Sequence, residues 1–278
     1  TGTGNNAFGT QAMRANTTAN YNSAFGHVTM YSNSTGANNA AFGGITMYSN
    51  TTGSSNSAFG YNALYNNTTA SNNTAVGYQA GYSTTTGTQN VVMGRGAMHS
   101  NSTGSYNVGL GYEALVNNTT ANQNTAVGYQ SLYSNTTGAD NVGIGKDALY
   151  SNTTASNNAA SGHSALRSNT TGAQNTAFGR QSLYSNTTAS NNTAVGYQAL
   201  YTNSTGASNT AVGYGAGYSS VGNGGSGGNT YIGNAAGYSA TTATNNLCVG
   251  NTAGYALTTG LKNTFVGKVL PENFKIYY

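Results

Sequence analysis

Bulky apolar residues return at every seventeenth position along this chain, with small and polar residues in fixed places between them. A glycine follows each bulky residue and serves as position zero. These glycines fall at 9, 26, 43, 60, 77, 94, 111, 128, 145, 162, 179, 196 and 213, then, after one spacing of twenty, at 233, 250 and 267. Position −1 runs Phe8, Phe25, Phe42, Phe59, Val76, Met93, Leu110, Val127 and Ile144, is interrupted once at Ser161, and continues from Phe178 to Val266. Position −3 is mostly Thr or Ser and becomes Val91, Val108, Val142 and Leu247 in some copies. Strand side chains alternate between two faces, so −3 and −1 share one, and the pattern predicts that this face is buried. Position −2 is mostly alanine, which predicts close contact with a second surface.

After the glycine, +3 is Ala or Ser in most copies and +4 is a Met or Leu, from Met13 and Met30 to Leu183 and Leu200. Position +5 is tyrosine in eleven copies. A polar turn follows, as in Ser134-Asn135-Thr136-Thr137-Gly138; Asn and Gly suit tight turns because they tolerate left-handed backbone angles. Each seventeen residues thus predict two short strands and two turns. No segment offers ten residues of helical periodicity, and the glycine would weaken a helix. One copy cannot bury its own apolar face, but stacked copies can. The expected fold is all-β: a parallel β-solenoid of sixteen 17-residue coils forming one repeat domain over residues 1–267. A three-residue insertion lies near 219–229, and residues 268–278 read as a C-terminal cap or a link to a following domain.

Four residues before each glycine stands an asparagine: Asn5, Asn22, Asn39, Asn56, Asn73, Asn90, Asn107, Asn124, Asn141, Asn158, Asn175, Asn192, Asn209, Asn229, Asn246 and Asn263. An unbroken column of amides predicts a structural ladder in which each side chain bonds to the next coil. A second asparagine at +7, such as Asn16, Asn135, Asn186 and Asn203, begins an Asn-x-Ser/Thr triplet. It reads as an exposed turn position and a glycan acceptor if the host is eukaryotic.

Composition narrows the function. Only 4% of residues are charged and the net charge is +4. The charges are scattered, so no basic stripe for nucleic acid is expected. Regular apolar columns argue against a disordered linker. The single cysteine, Cys248, excludes an internal disulfide framework and reads as a buried small residue. No signal peptide or transmembrane run is present. The chain starts in mid-pattern at Thr1-Gly2-Thr3-Gly4, which reads as a fragment of something longer.

A search for chemistry finds no convergent acids, bases or nucleophiles. His27, His99 and His163 stand in distant coils, so neither a metal site nor a cofactor is expected. Asp140 and Asp147 belong to one coil, with Glu113 two coils earlier, and read as solvated surface substitutions. The glycine-rich stretch at 222–228 lacks the Lys-Ser/Thr of a phosphate loop. The chain is therefore read as a non-enzyme with no catalytic and no metal-binding residues. Tyr31, Tyr48, Tyr65, Tyr133, Tyr150, Tyr184 and Tyr201 read either as rings packed on neighbouring coils or as glycan contacts, since tyrosine joins an apolar face to a polar tip. The Thr-Thr pairs, from Thr17-Thr18 to Thr187-Thr188, read as turn hydroxyls or as an ice-matching row.

The copies Asn90-Val91-Val92-Met93-Gly94, Asn141-Val142-Gly143-Ile144-Gly145 and Asn246-Leu247-Cys248-Val249-Gly250 resemble the head repeats of YadA-type trimeric adhesins. The form Asn192-Thr193-Ala194-Val195-Gly196-Tyr197-Gln198-Ala199-Leu200 resembles repeats of phage and bacterial fibre proteins. The resemblance covers residues 5 to 267 and implies a left-handed parallel β-roll and a homotrimeric fibre. The period of seventeen is longer than the YadA head repeat, with the added residues in the Ser-Asn-Thr-Thr turn. The expected function is that of a non-catalytic extracellular fibre segment on a virion or cell surface, for host attachment or spacing. Its partners would be copies of itself and a host polysaccharide or receptor, without nucleic acid or membrane insertion. Ice binding through the threonine row, or a purely structural filament subunit, are the alternatives.

Overall fold

The structure is a computed structural model that describes residues 2–221 and 227–268. It is all-β: sixteen parallel strands of three residues each form a β-solenoid, with no helix among the described residues. The chain divides into two compact units, 1–146 and 147–278. The first carries the strands from Asn6–Phe8 to Val142–Ile144, the second those from Ala159–Ser161 to Thr264–Val266. Within each unit, strands pair in chain order and in register, so that Ala58 faces Ala75 in one and Ala194 faces Ala211 in the other.

One coil, Asn56 to Asn72, shows how the repeat folds. The strand Ser57–Phe59 turns inward only its middle residue, Ala58, which is fully buried. Phe59 points out and is 40% exposed. This reverses the expectation for the strand: −2 is the core column, and −3 and −1 form the outward face. The reason is space. Ala63 and Leu64 are buried with Ala58, and where −2 is glycine a Cβ on Gly109 would lie 3.1 Å from the +4 side chain of Met98, so the interior between these columns has little room for a second bulky residue.

The second predicted strand is absent. Asn62 and Leu64 have φ of 59° and 49°, so the chain arches after the glycine instead of extending. Left-handed leucine is uncommon and costs on the order of 1–3 kcal/mol. It persists because the arch is stitched to its neighbours: the Leu64 amide donates to the Ala80 carbonyl at 3.0 Å, and Asn66 donates to Tyr82 at 3.0 Å. The same arch recurs at Leu200, with φ of 50° and a 2.9 Å bond to the Ala216 carbonyl. Coil-to-coil backbone pairing therefore runs around the cross-section, beyond the three-residue strands.

Near the C-terminal end of the second unit the packing is inverted. Position +4 becomes Gly217, Gly237 and Gly254, while −2 enlarges to Tyr231, Cys248 and Phe265. A Cβ on Gly237 would sit 2.2 Å from the Tyr231 ring, so the ring occupies the space that leucine fills elsewhere. Volume is conserved across the coil by exchanging large and small residues between facing columns. Register also survives the insertion, since Val212 pairs with Ile232. Residues 222–226 of that insertion, and residues 269–278 of the expected C-terminal cap, lie outside the described residues.

Candidate functional site

The −4 asparagines from Asn22 to Asn246 are buried, Asn5 and Asn263 at the ends are half-buried, and the column is bonded coil to coil. Asn192 donates through its backbone amide to Oδ1 of Asn175 at 3.0 Å and through Nδ2 at 3.2 Å; its own Oδ1 accepts from the backbone and side-chain amides of Asn209 at 2.9 and 3.2 Å. Each amide thus satisfies an inward N–H that no backbone carbonyl reaches.

The +7 asparagines from Asn33 to Asn203 are buried as well, which corrects their reading as exposed turn residues, while Asn16 in the first coil is half-buried. Asn186 is fully buried; its Nδ2 donates to Asn169 Oδ1 at 2.7 Å and to the Ala189 carbonyl at 3.0 Å. Buried amides with both hydrogens engaged cannot accept a glycan without unfolding. Sequence reasoning missed this second ladder because Asn is equally at home in an exposed turn. The available signal was the regularity of +7 itself, which an exposed turn does not need.

The outward columns divide into four kinds. Along −1, Phe25, Phe42 and Phe59 stack ring on ring at 4.8 and 5.0 Å. Along +5, Tyr31, Tyr48, Tyr65 and Tyr82 stack at 5.2, 5.3 and 5.1 Å, with His99 continuing at 4.9 Å. Tyr184 and Tyr201 stack at 5.2 Å in the second unit. Tyr48, Tyr65 and Tyr201 have a ring on each face, so they offer edges and hydroxyls, and sugar stacking on their faces is closed. Tyr150 carries the Arg167 guanidinium 5.0 Å over its ring, and Tyr133 is half-buried in the same column. Burial, reinforced by neighbouring phenols, raises the pKa of Tyr65 and Tyr218.

The +1 column holds Arg95, Lys146 and Arg180, each near a tyrosine ring, while Arg14 and Arg167 stand in the +5 column. Arg95 lies 5.9 and 5.5 Å from the Tyr78 and Tyr112 rings and donates to the Tyr112 hydroxyl at 2.9 Å; Lys146 lies 5.6 Å over Tyr129. Such cation–π contacts are worth roughly 0.5–1 kcal/mol at exposed sites. The fourth column is threonine at +9: Thr18, Thr35, Thr52 and Thr69 are exposed, whereas the +8 hydroxyls are occupied, as where Thr68 donates to the Thr85 carbonyl at 3.1 Å.

Cys248 is buried and free, and burial pushes its thiol up to about 11. Burial lowers the pKa of His99. Among the described residues, no group of three or more His, Cys, Asp and Glu side chains could hold a metal ion. A shallow groove of about 400 Å³ is lined by Thr103, Ser105, Tyr106, Asn122 and Gln123, with no carboxylate, histidine, lysine or cysteine among them. No family model, curated protein or solved structure matches the chain.

Proposed function

We propose that this chain is a non-catalytic segment of an extracellular fibre that attaches a virion or bacterium to a host surface, or spaces a domain that does. The observation that carries the reading is the outward face of the strands. Across positions −3 and −1 no residue is ionisable, and Phe59, Met93 and Ile144 are 40%, 44% and 43% exposed. Within each unit the bulky −1 residues, from Phe8 to Ile144 and from Phe178 to Val266, form an apolar track on a polar surface, and such a track marks an interaction site. Its repeat equals the coil rise, so another copy of this chain matches it along its length, in keeping with a homotrimer. The motif resemblance to trimeric adhesin heads and fibre repeats supports the same assembly. Neutral Asn, Ser, Thr and Tyr on the other columns suit weak contacts to polysaccharide, multiplied by avidity.

Sedimentation velocity over a range of concentrations tests the assembly, and a folded monomer at micromolar concentration would overturn it. Phe59→Asp is expected to dissociate the oligomer. Binding of the isolated segment to a glycan array or host cells separates attachment from spacing: no binding while the intact fibre binds leaves the spacing role. The exposed +9 threonines favour ice binding as a second reading, which an absence of thermal hysteresis and crystal faceting removes.

A further inference from the structure

We propose that the +5 tyrosine columns are sites of oxidative coupling, where a one-electron oxidant of the haem-peroxidase class, fed by hydrogen peroxide, joins tyrosines of successive coils as dityrosine. This does not rest on the attachment role. Coil register fixes both rings of every pair: Tyr48 and Tyr65 lie 5.3 Å apart with planes 6° from parallel, and Tyr218 and Tyr238 lie 4.8 Å apart at 7°. The residues are half-buried, so part of each stays open to solvent. A phenoxyl radical formed on one ring therefore has its coupling partner already in place, which replaces a diffusive encounter by an intramolecular one.

The chemistry balances on these atoms. Each phenol gives up one electron and its hydroxyl proton. The two radicals pair in a new carbon–carbon bond between ring carbons ortho to oxygen. The hydrogens on those carbons then move to the oxygens, restoring both aromatic rings. One hydrogen peroxide takes up the two electrons and two protons and leaves as two waters. Each link ties a coil to the next and blocks stepwise unravelling, as a disulfide across a similar loop would. The phenylalanine stack at −1 has the same geometry but no phenol. Tyr21 and Tyr106 are exposed without a tyrosine in the adjacent coil, and serve as internal controls.

The test treats the whole folded chain with a peroxidase and hydrogen peroxide, followed by dityrosine fluorescence and peptide mapping by mass spectrometry. The expected products are links between residues one coil apart, such as Tyr48 with Tyr31 or Tyr65, each with the loss of two hydrogens. Tyr48→Phe/Tyr82→Phe keeps the rings stacked; the +1 pair Tyr61 and Tyr78 is untouched, but within the +5 column from Tyr31 to Tyr82 no adjacent tyrosines are left. Links there are expected to vanish while those from Tyr184 to Tyr255 persist, with circular dichroism unchanged. Links confined to Tyr21 and Tyr106, links only between separate chains, or a yield no higher than in the urea-unfolded chain would each overturn the proposal.

Discussion

Asn56 and Asn67 donate to one and the same atom, the carbonyl oxygen of Ala70, at 2.9 and 3.1 Å. Asn56 precedes the strand and Asn67 belongs to the turn beyond the arch, so one oxygen ties the two sides of the coil together. Both lone pairs of that carbonyl are used. The same clip recurs where Asn90 and Asn101 converge on the Gly104 carbonyl, each at 2.9 Å. The interior thus combines aliphatic side chains with buried amides, which is how a core of alanine and leucine closes a seventeen-residue coil.

The two asparagine columns should therefore matter equally. Asn192→Ala and Asn186→Ala are each expected to destabilise by ~1–3 kcal/mol, because each leaves buried polar groups without partners. Thr188→Ala, on the exposed +9 column, should cost less than ~0.5 kcal/mol. Thermal unfolding of the three variants checks this, and an Asn186→Ala midpoint equal to that of Thr188→Ala would refute the second ladder.

Gly196 sits at the corner after the strand with φ of 133°, and a Cβ there would lie 2.4 Å from the Gly213 carbonyl oxygen. Gly196→Ala meets both a disfavoured backbone angle and backbone in the adjoining coil. A loss of at least ~2 kcal/mol is expected. Hydrogen exchange should show the opening centred on the coils around Gly196 and Gly213, since neighbouring coils carry the interface terms in a solenoid.

Tyr231 is fully buried, and its hydroxyl finds no hydrogen-bond partner among the described residues. Burial raises its pKa. Removing the unpaired hydroxyl should help: Tyr231→Phe is expected to stabilise by ~1 kcal/mol. Tyr231→Ala should cost ~3–5 kcal/mol through the cavity it leaves. Adding Gly237→Leu to Tyr231→Ala should recover part of that loss, whereas Gly237→Leu alone should destabilise by its clash with the ring. A double-mutant cycle by chemical denaturation measures the coupling.

His99 stands in the tyrosine column, and its folded pKa lies below the ordinary 6.5 because burial disfavours the charged ring. Between the lowered value and 6.5 the unfolded chain binds more protons, so stability rises with pH through that window and levels off above it. As pH falls from about 7 to 5, the melting temperature should drop more for the native chain than for His99→Tyr, which extends the stack without titrating. Parallel pH profiles for the two chains would assign the dependence elsewhere.

The sequence by itself determined the repeat, its register and the all-β solenoid, because a strict period over many copies is met only by equivalent stacked coils. It also marked the −4 asparagine column, since an amide retained at every turn implies a repeated bond. Only the tertiary structure decided which side of the strand is the inside. Alternation puts Phe59 and Ala58 on opposite faces but does not say which is buried, and bulk pointed to phenylalanine. The answer depends on the width of the coil, set by left-handed backbone at Asn62 and Leu64 and by two amides closing on Ala70. Leucine seldom adopts that conformation, so its arch leaves no trace in local propensity. Asn186 is the same residue type whether it lies in solvent or in a ladder. Volume and partner are properties of the closed coil, and they come into being only when distant parts of the chain meet.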